Sequence, residues 1–182
     1  VLVFPKSGGY EDLIESYYNQ NNNNIAFFIL PRQFLIKIFS YHFKNVDKKD
    51  YFTKPANSRE TYYKNQYIKY LTNTFSILDK FIKLDGFISF NLFYHAEKYL
   101  EEVFKNLNKK YIVLHKESTF TPIEEINSTR VYKRYNSESL AHKISVYSDS
   151  QKKILIKSKI AKDKQIYING CPRSDYAFRL RK

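Results

Sequence analysis

A single cysteine, Cys171, stands in 182 residues, so no intrachain disulfide can form and a hydrophobic core has to hold the fold. A lone thiol is compatible with a reducing compartment. A chain of this length needs no covalent staple, because a domain of its size buries roughly 70% of the surface its unfolded chain exposes. The length fits one domain or a modest pair. No apolar run approaches the ~18 residues of a membrane span. Val1 to Phe4 is apolar but far too short for a signal-peptide h-region, and no basic segment precedes it. A cytoplasmic location is therefore the expectation. The four histidines and Cys171 are too dispersed for a zinc pattern, so no metal is expected. GxSxG, GxxxxGK[ST] and HExxH are all missing, which removes the nucleophile elbow, the P-loop and the zincin helix. No internal repeat is visible. The chain opens on Val1 rather than Met, which reads as a fragment or a processed product.

Positive charge, by contrast, is in excess: 31 Lys+Arg face 18 Asp+Glu, for a net charge of +13. Such a balance favours anionic partners, whether nucleic acid, phosphorylated sugars or an anionic membrane surface. The basic residues are scattered rather than massed on one element, and the abundance of Lys, Asn, Ile and Tyr together is what an AT-rich coding sequence produces. A dedicated nucleic-acid role is accordingly not the expectation; peripheral contact with an anionic membrane stays open.

Six short apolar runs punctuate the chain. They predict strands over 1–4, 25–30, 87–90, 111–114, 144–147 and 166–168, those at 1–4, 25–30 and 111–114 read as buried. Helical patterns separate them. Leu13, Ile14, Tyr17 and Tyr18 share one helical face. Pro31 suits a helix start, with Phe34, Leu35, Ile38, Phe39 and Phe43 following and His42 packed beside them. A long helix over 58–84 carries an inner stripe of Tyr63, Tyr67, Tyr70, Leu71, Thr74, Leu78 and Phe81. Spacing favours core packing over a base-stacking platform for these tyrosines. Gly86 is expected to end that helix as its left-handed residue. Asn91 caps a further amphipathic helix, with Glu101 and Lys105 paired on its outside. Ser148 and Gln151 form a capping box. Alternating strands and helices imply an α/β, Rossmann-like three-layer domain with a mainly parallel sheet and right-handed crossovers.

Open parallel sheets bind ligands beyond the carboxyl ends of their strands, and there the sequence concentrates its polar chemistry. Tyr111 to Leu114 turns abruptly into His115-Lys116-Glu117-Ser118. An imidazole, an ammonium, a carboxylate and a hydroxyl follow one another, although an ordinary polar loop would look the same. Ser7-Gly8-Gly9, between the first strand and its helix, allows backbone N–H groups to approach an anion; a plain turn is the alternative. Both segments should lie on one edge of the sheet. The segment 119–141 reads as long and irregular, of the kind that forms lids or binding loops. His95 is a possible site residue near the same rim.

YIVLHKESTFTP (111–122) and VYSDSQKKILIKSKIAKDKQIYINGCPRSD (146–175), preceded by GFISFNLFYHAEKYLEEVF (86–104), carry a resemblance. They resemble the amino-terminal half of a glycosyltransferase built from two Rossmann-like domains, the GT-B architecture. The likeness is to bacterial surface-carbohydrate biosynthesis proteins and CDP-glycerol glycerophosphotransferases. The matching positions are His115-Lys116-Glu117 at a strand end, and Gly170, Pro172, Arg173 and Asp175 after the last strand. The "G.P" element also occurs in nucleotide-sugar epimerases of the same architecture. The resemblance implies a first, acceptor-side domain over 1–175 and the start of an interdomain linker over 176–182. The partners it implies are a nucleotide-activated sugar or CDP-glycerol donor, held mainly by a second domain, and a carbohydrate acceptor. No separate cofactor is implied. His115 or Glu117 would take the acceptor proton and Lys116 would offset phosphate charge. Ser7, Gly8, Gly9 and Ser118 would line the acceptor or phosphate loop. Gly170, Pro172, Arg173, Ser174 and Asp175 would form an interdomain strut or a phosphate clamp.

Overall fold

The computed structural model describes residues 1–5, 9–18, 24–44, 57–94, 96–115, 121–134 and 137–170. In chain order the elements are β1 (Leu2–Val3), α1 (Gly9–Tyr18), β2 (Phe28–Ile29), α2 (Arg32–His42), α3 (Ser58–Ile82), β3 (Gly86–Ser89), α4 (Leu100–Asn106), β4 (Lys110–Leu114), α5 (Pro122–Lys133), β5 (Lys143–Val146), α6 (Asp149–Lys157) and β6 (Ile166–Ile168). The six strands form one sheet in the order β2-β1-β3-β4-β5-β6. Every pairing is parallel. All six predicted runs thus become strands, each within a few residues of its expected place.

Strand order decides how the two faces are covered. Only the step from β1 to β2 runs one way across the sheet; every later step runs the other way. Right-handed crossovers therefore send α1 to one face and the later helices to the opposite face. The buried side chains agree. Leu2, Phe4, Phe87, Tyr111, Val113, Ile144 and Val146 share a large core with Leu35 and Phe39 of α2, Tyr67, Leu71 and Phe75 of α3, Val103 and Phe104 of α4 and Leu155 of α6. Val3, Ile88 and Phe90 form a small second cluster, joined by Tyr10 and Leu13 of α1 and by Ile112 and Leu114. The large core is aromatic: Phe4, Phe87, Phe104 and Tyr111 contact one another at ring-centroid distances of 5.2–6.3 Å. Each buried Phe contributes roughly 1.5–3 kcal/mol relative to exposure.

Local chemistry fixes the helix ends. Asn57 caps α3 by accepting from the Glu60 N–H at 2.9 Å. The α3 carboxyl end closes on Lys83, which is left-handed at φ 47°, not on Gly86. Asp79 replaces the expected glycine cap by accepting from the Leu84 N–H at 2.6 Å and from Lys109 Nζ at 2.9 Å. Gly86 instead begins β3, where a Cβ would stand 2.4 Å from the Lys110 carbonyl oxygen. The inner face of α3 is Tyr67, Ile68, Leu71 and Phe75, whereas Tyr70 and Phe81 are exposed. The predicted stripe drifted off the true face because aromatic residues occur on every side of this helix.

Three further expectations change. The run at 25–30 is not fully buried: β2 is an edge strand, with Ile25 and Ile29 nearly half exposed. The segment 119–141 contains a helix, α5, set by Pro122 and a capping box in which the Thr121 N–H donates to Glu124 at 2.8 Å. Its first turn follows the Thr-x-x-Glu rule, but its low apolar content hid it. The helix expected from Asn91 begins regular winding only at Leu100, after a turn that Asn91 starts by accepting from the Phe93 N–H at 2.6 Å.

Candidate functional site

A doubly wound sheet opens a crevice where the strand order reverses. Here the reversal lies between β1 and β3, at their carboxyl ends. Gly9 begins α1 directly against Phe90: a Cβ on Gly9 would lie 2.7 Å from the Phe90 ring. Only glycine permits this contact between the α1 terminus and the chain leaving β3. The hydroxyl of Ser89, the last residue of β3, donates its one proton to Glu97 Oε2 at 2.6 Å and stands 2.9 Å from the Asn91 carbonyl oxygen. Arg32, the first residue of α2, reaches Glu97 Oε1 through Nε at 3.1 Å. Its guanidinium also lies 4.8 Å from the centre of the Tyr94 ring. Glu97 is 2% exposed, so the carboxylate is held in place by a cation and a hydroxyl in a dry setting. Burial, joined by the Glu97 charge, pushes the Tyr67 phenol well up, and that phenol donates to the Ala96 carbonyl at 2.7 Å.

One strand further along, His115 follows β4. It is wholly buried. Its backbone N–H donates to the Ser145 carbonyl at 2.8 Å, and its ring stands edge-on to Phe93 at 5.6 Å. Among the described residues neither ring nitrogen has a hydrogen-bond partner. Burial pushes its pKa down to about 3, so the imidazole is neutral across the physiological range. The next strand end carries a second such atom. Gln151, in the first turn of α6, accepts from the Tyr147 N–H at 3.1 Å, while its buried Nε2 has no partner. Ser148 caps α6 by accepting from the Gln151 N–H at 3.3 Å. The expected reciprocal box is therefore half made, because the Gln151 side chain reaches Tyr147 rather than Ser148. The Tyr147 hydroxyl in turn extends toward Asp12 of α1, at 3.5 Å.

Of the predicted site residues, Gly9 and His115 both lie at the carboxyl edge, as following β1 and β4 in a parallel sheet requires. Gly170 follows β6 with φ 70°, a backbone that suits glycine. Ser7, Gly8, His95, Lys116, Glu117, Ser118, Pro172, Arg173, Ser174 and Asp175 lie outside the described residues. His42 is packed, with rings of Tyr41, Tyr67 and Tyr70 around it at 5.4–5.7 Å. The sequence reading passed over Arg32, Ser89 and Glu97. Ser89 had a signal, as the polar residue within the apolar run Phe87 to Phe90. Glu97 had none, since a carboxylate between Ala96 and Lys98 looks like any exposed helix position.

These features define a Rossmann-like α/β domain, with a mainly parallel sheet flanked by helices and polar side chains gathered at the carboxyl edge. This is an architecture used by nucleotide-binding enzyme domains. The chain matches no protein-family model and no curated protein. Among the described residues no group of three His, Cys, Asp or Glu side chains is placed to hold a metal ion, and no helix is long and apolar enough to cross a membrane.

Proposed function

We propose that this domain is the acceptor-side half of a transferase that moves a sugar or glycerophosphate group from a nucleotide-activated donor to a carbohydrate acceptor. A second Rossmann-like domain supplies most donor contacts in this reading. The observation that carries it is His115: a buried imidazole with two unpartnered nitrogens at the carboxyl end of a central strand. Buried polar atoms in native proteins nearly always have partners, and the exceptions call for a role. A substrate hydroxyl reaching that edge supplies the missing partner.

Proton uptake from the acceptor belongs to His115 or Glu117, and Lys116 offsets the developing phosphate charge. Burial sets a condition on His115. A ring with a pKa of about 3 is a weak base, so it acts only when ligand or water reaches it. Arg173 and Asp175 join the two domains or clamp phosphate. The protein works at the cytoplasmic side, where nucleotide-activated donors are made, and its net charge of +13 suits contact with an anionic membrane that carries the acceptor.

Turnover with UDP-sugar, GDP-sugar and CDP-glycerol donors tests this reading, measured in the two-domain protein, in the 182-residue chain, and in His115→Ala and Glu117→Ala variants of the former. The expected result is transfer by the two-domain protein only. One of the Ala variants should lose about 10²–10⁴-fold in kcat while its unfolding midpoint holds. Robust transfer by the 182-residue chain, or epimerisation of the donor without transfer, overturns the reading.

A further inference from the structure

The sides of α5 are arranged the wrong way round for a core helix. Its inward side carries Glu125, Ser128, Thr129 and Tyr132, all partly buried. Glu125 accepts from Lys157 of α6 at 3.0 Å, Thr129 donates back to the Glu125 carbonyl at 2.8 Å, and Tyr132 tilts against Phe93 with ring centroids 4.5 Å apart. The opposite side presents Ile123, Ile126, Asn127, Arg130, Lys133 and Arg134, all exposed. Ile123 is 73% and Ile126 63% exposed. Helical spacing sets these apolar and basic side chains on one face. A helix packed on a core hides its isoleucines and wets its hydroxyls; α5 does the reverse.

We propose that α5 lies flat on an anionic lipid surface, with Ile123 and Ile126 inserted at the acyl boundary and Arg130, Lys133 and Arg134 on the lipid phosphates. None of the three cations is in an ion pair among the described residues. Glu124 folds back onto its own cap, where the Thr121 N–H donates to it at 2.8 Å. The carboxylates that the chain brings to 137–140, just past α5, are engaged elsewhere. Glu138 pairs with Lys162 at 2.8 Å. Glu101 accepts from Ser139 Oγ and from the Leu140 N–H, each at 2.6 Å, instead of forming the expected surface pair with Lys105. The isoleucines need an apolar partner and the cations an anionic one, and a lipid interface offers both side by side. A nucleic acid would satisfy the cations and leave the isoleucines in water. A second copy would set the three cations against the same three in a symmetric contact. Phe93, on which Tyr132 rests, also meets the His115 ring at 5.6 Å, so the helix that docks is packed next to the carboxyl-edge site. The inference gives the membrane contact of the transferase reading its surface and in that respect rests on that reading. Vesicle binding is measured without donor or acceptor, so its failure and a failure of transfer are separate results.

The probes are vesicles of phosphatidylcholine alone and of an equimolar mixture with phosphatidylglycerol, sedimented with the 182-residue chain. The expected result is binding to the anionic vesicles only, weakening as salt rises. Arg130→Gln, Lys133→Gln and Arg134→Gln should each weaken it roughly fivefold. Ile123→Ser combined with Ile126→Ser should weaken it roughly tenfold or more. All five positions are exposed, so the thermal midpoints of these variants should hold. Lys80→Gln, at an exposed position of α3, should leave binding nearly unchanged. The chain has no tryptophan, so Ile126→Trp places a single reporter on the face. Its emission should shift to the blue on anionic vesicles and be quenched by bromine on the upper acyl chain. Absence of binding to the anionic vesicles overturns the proposal. So does a loss in Lys80→Gln equal to that in the α5 variants, which marks a general effect of net charge, or an Ile126→Trp emission that the vesicles leave unshifted. Tighter binding to duplex DNA than to the vesicles, unaffected by the two serine changes, moves the partner to nucleic acid and overturns it as well.

Discussion

Two polar clusters occupy the same edge of the sheet, one strand apart, and they are built to opposite rules. At the β1/β3 reversal, Glu97 receives Arg32 and Ser89, and Ser89 also reaches the Asn91 carbonyl. At the ends of β4 and β5, His115 and Gln151 present three buried nitrogens with no partner among the described residues. A satisfied buried network fixes one arrangement, while an unsatisfied one carries a standing cost. The first cluster therefore reads as the hub that locks α2 and the chain after β3 onto the sheet. The second reads as the place where added hydrogen bonds gain most.

The largest effect should come from breaking the satisfied cluster. Glu97→Leu leaves Arg32 and Ser89 facing a dry pocket without their acceptor, and removing one partner of a buried ion pair costs about 3–5 kcal/mol. Urea denaturation should show that loss through a lower midpoint at nearly constant slope. A change under about 1 kcal/mol would mean that Arg32 swings out to water, so that the hub is not one.

The neighbouring close approach is next in size. Gly9→Ala sets a methyl 2.7 Å from the Phe90 ring, itself buried in the thin second face of the sheet. Overpacking of that kind costs about 1–3 kcal/mol. Ala is otherwise the better helix former, so stabilisation by this variant would show that Phe90 moves aside freely and that the crevice is looser than the contact implies.

The smallest effect at neutral pH is expected from the unsatisfied cluster. Replacing a buried group that has no partner with an apolar one of similar size removes its standing cost, so His115→Leu should stabilise the fold slightly at pH 7, by up to about 1 kcal/mol. Acidification then separates the two proteins. The folded state holds His115 neutral down to about pH 3, whereas the unfolded chain takes up its proton near the ordinary imidazole value of about 6.5. Stability from this residue is thus complete above about pH 6.5 and lost as pH falls, at about 1.4 kcal/mol per unit. Glu101 works in the opposite sense. Its folded value of about 7 lies above the ordinary carboxyl value, so its burial cost is relieved as pH falls from neutral toward about 4.5. Thermal melts from pH 7 to 4.5 should show His115→Leu gaining on the unmodified chain step by step. Parallel curves would sink the assignment of a buried, neutral His115.

The sheet was legible because its strands are short unbroken apolar runs, and a parallel sheet buried on both faces needs such runs. The α5 helix was not legible, because its face is held by contacts with α6 and by the Tyr132 ring, tilted against Phe93 with centroids 4.5 Å apart, rather than by a buried stripe of its own. Of the candidate site, His115 stood out as the polar residue that ends an apolar run. Arg32 and Glu97 did not, since they are 65 residues apart and each looks like a surface charge until β2 and β3 are laid on either side of β1.

What the sequence determined by itself is local: which segments alternate as strand and helix, where Asn57, Thr121 and Ser148 start helices, and that an abruptly polar stretch follows the fourth strand. Hydrogen-bond caps and apolar runs act over a few residues, and a few residues suffice to read them. Only the tertiary structure decided the strand order, the reversal between β1 and β3, and the burial of Glu97 and His115. Burial and charge proximity are properties of neighbours in space, and the same carboxylate or imidazole is a solvated surface group or a dry functional one according to what the fold sets against it.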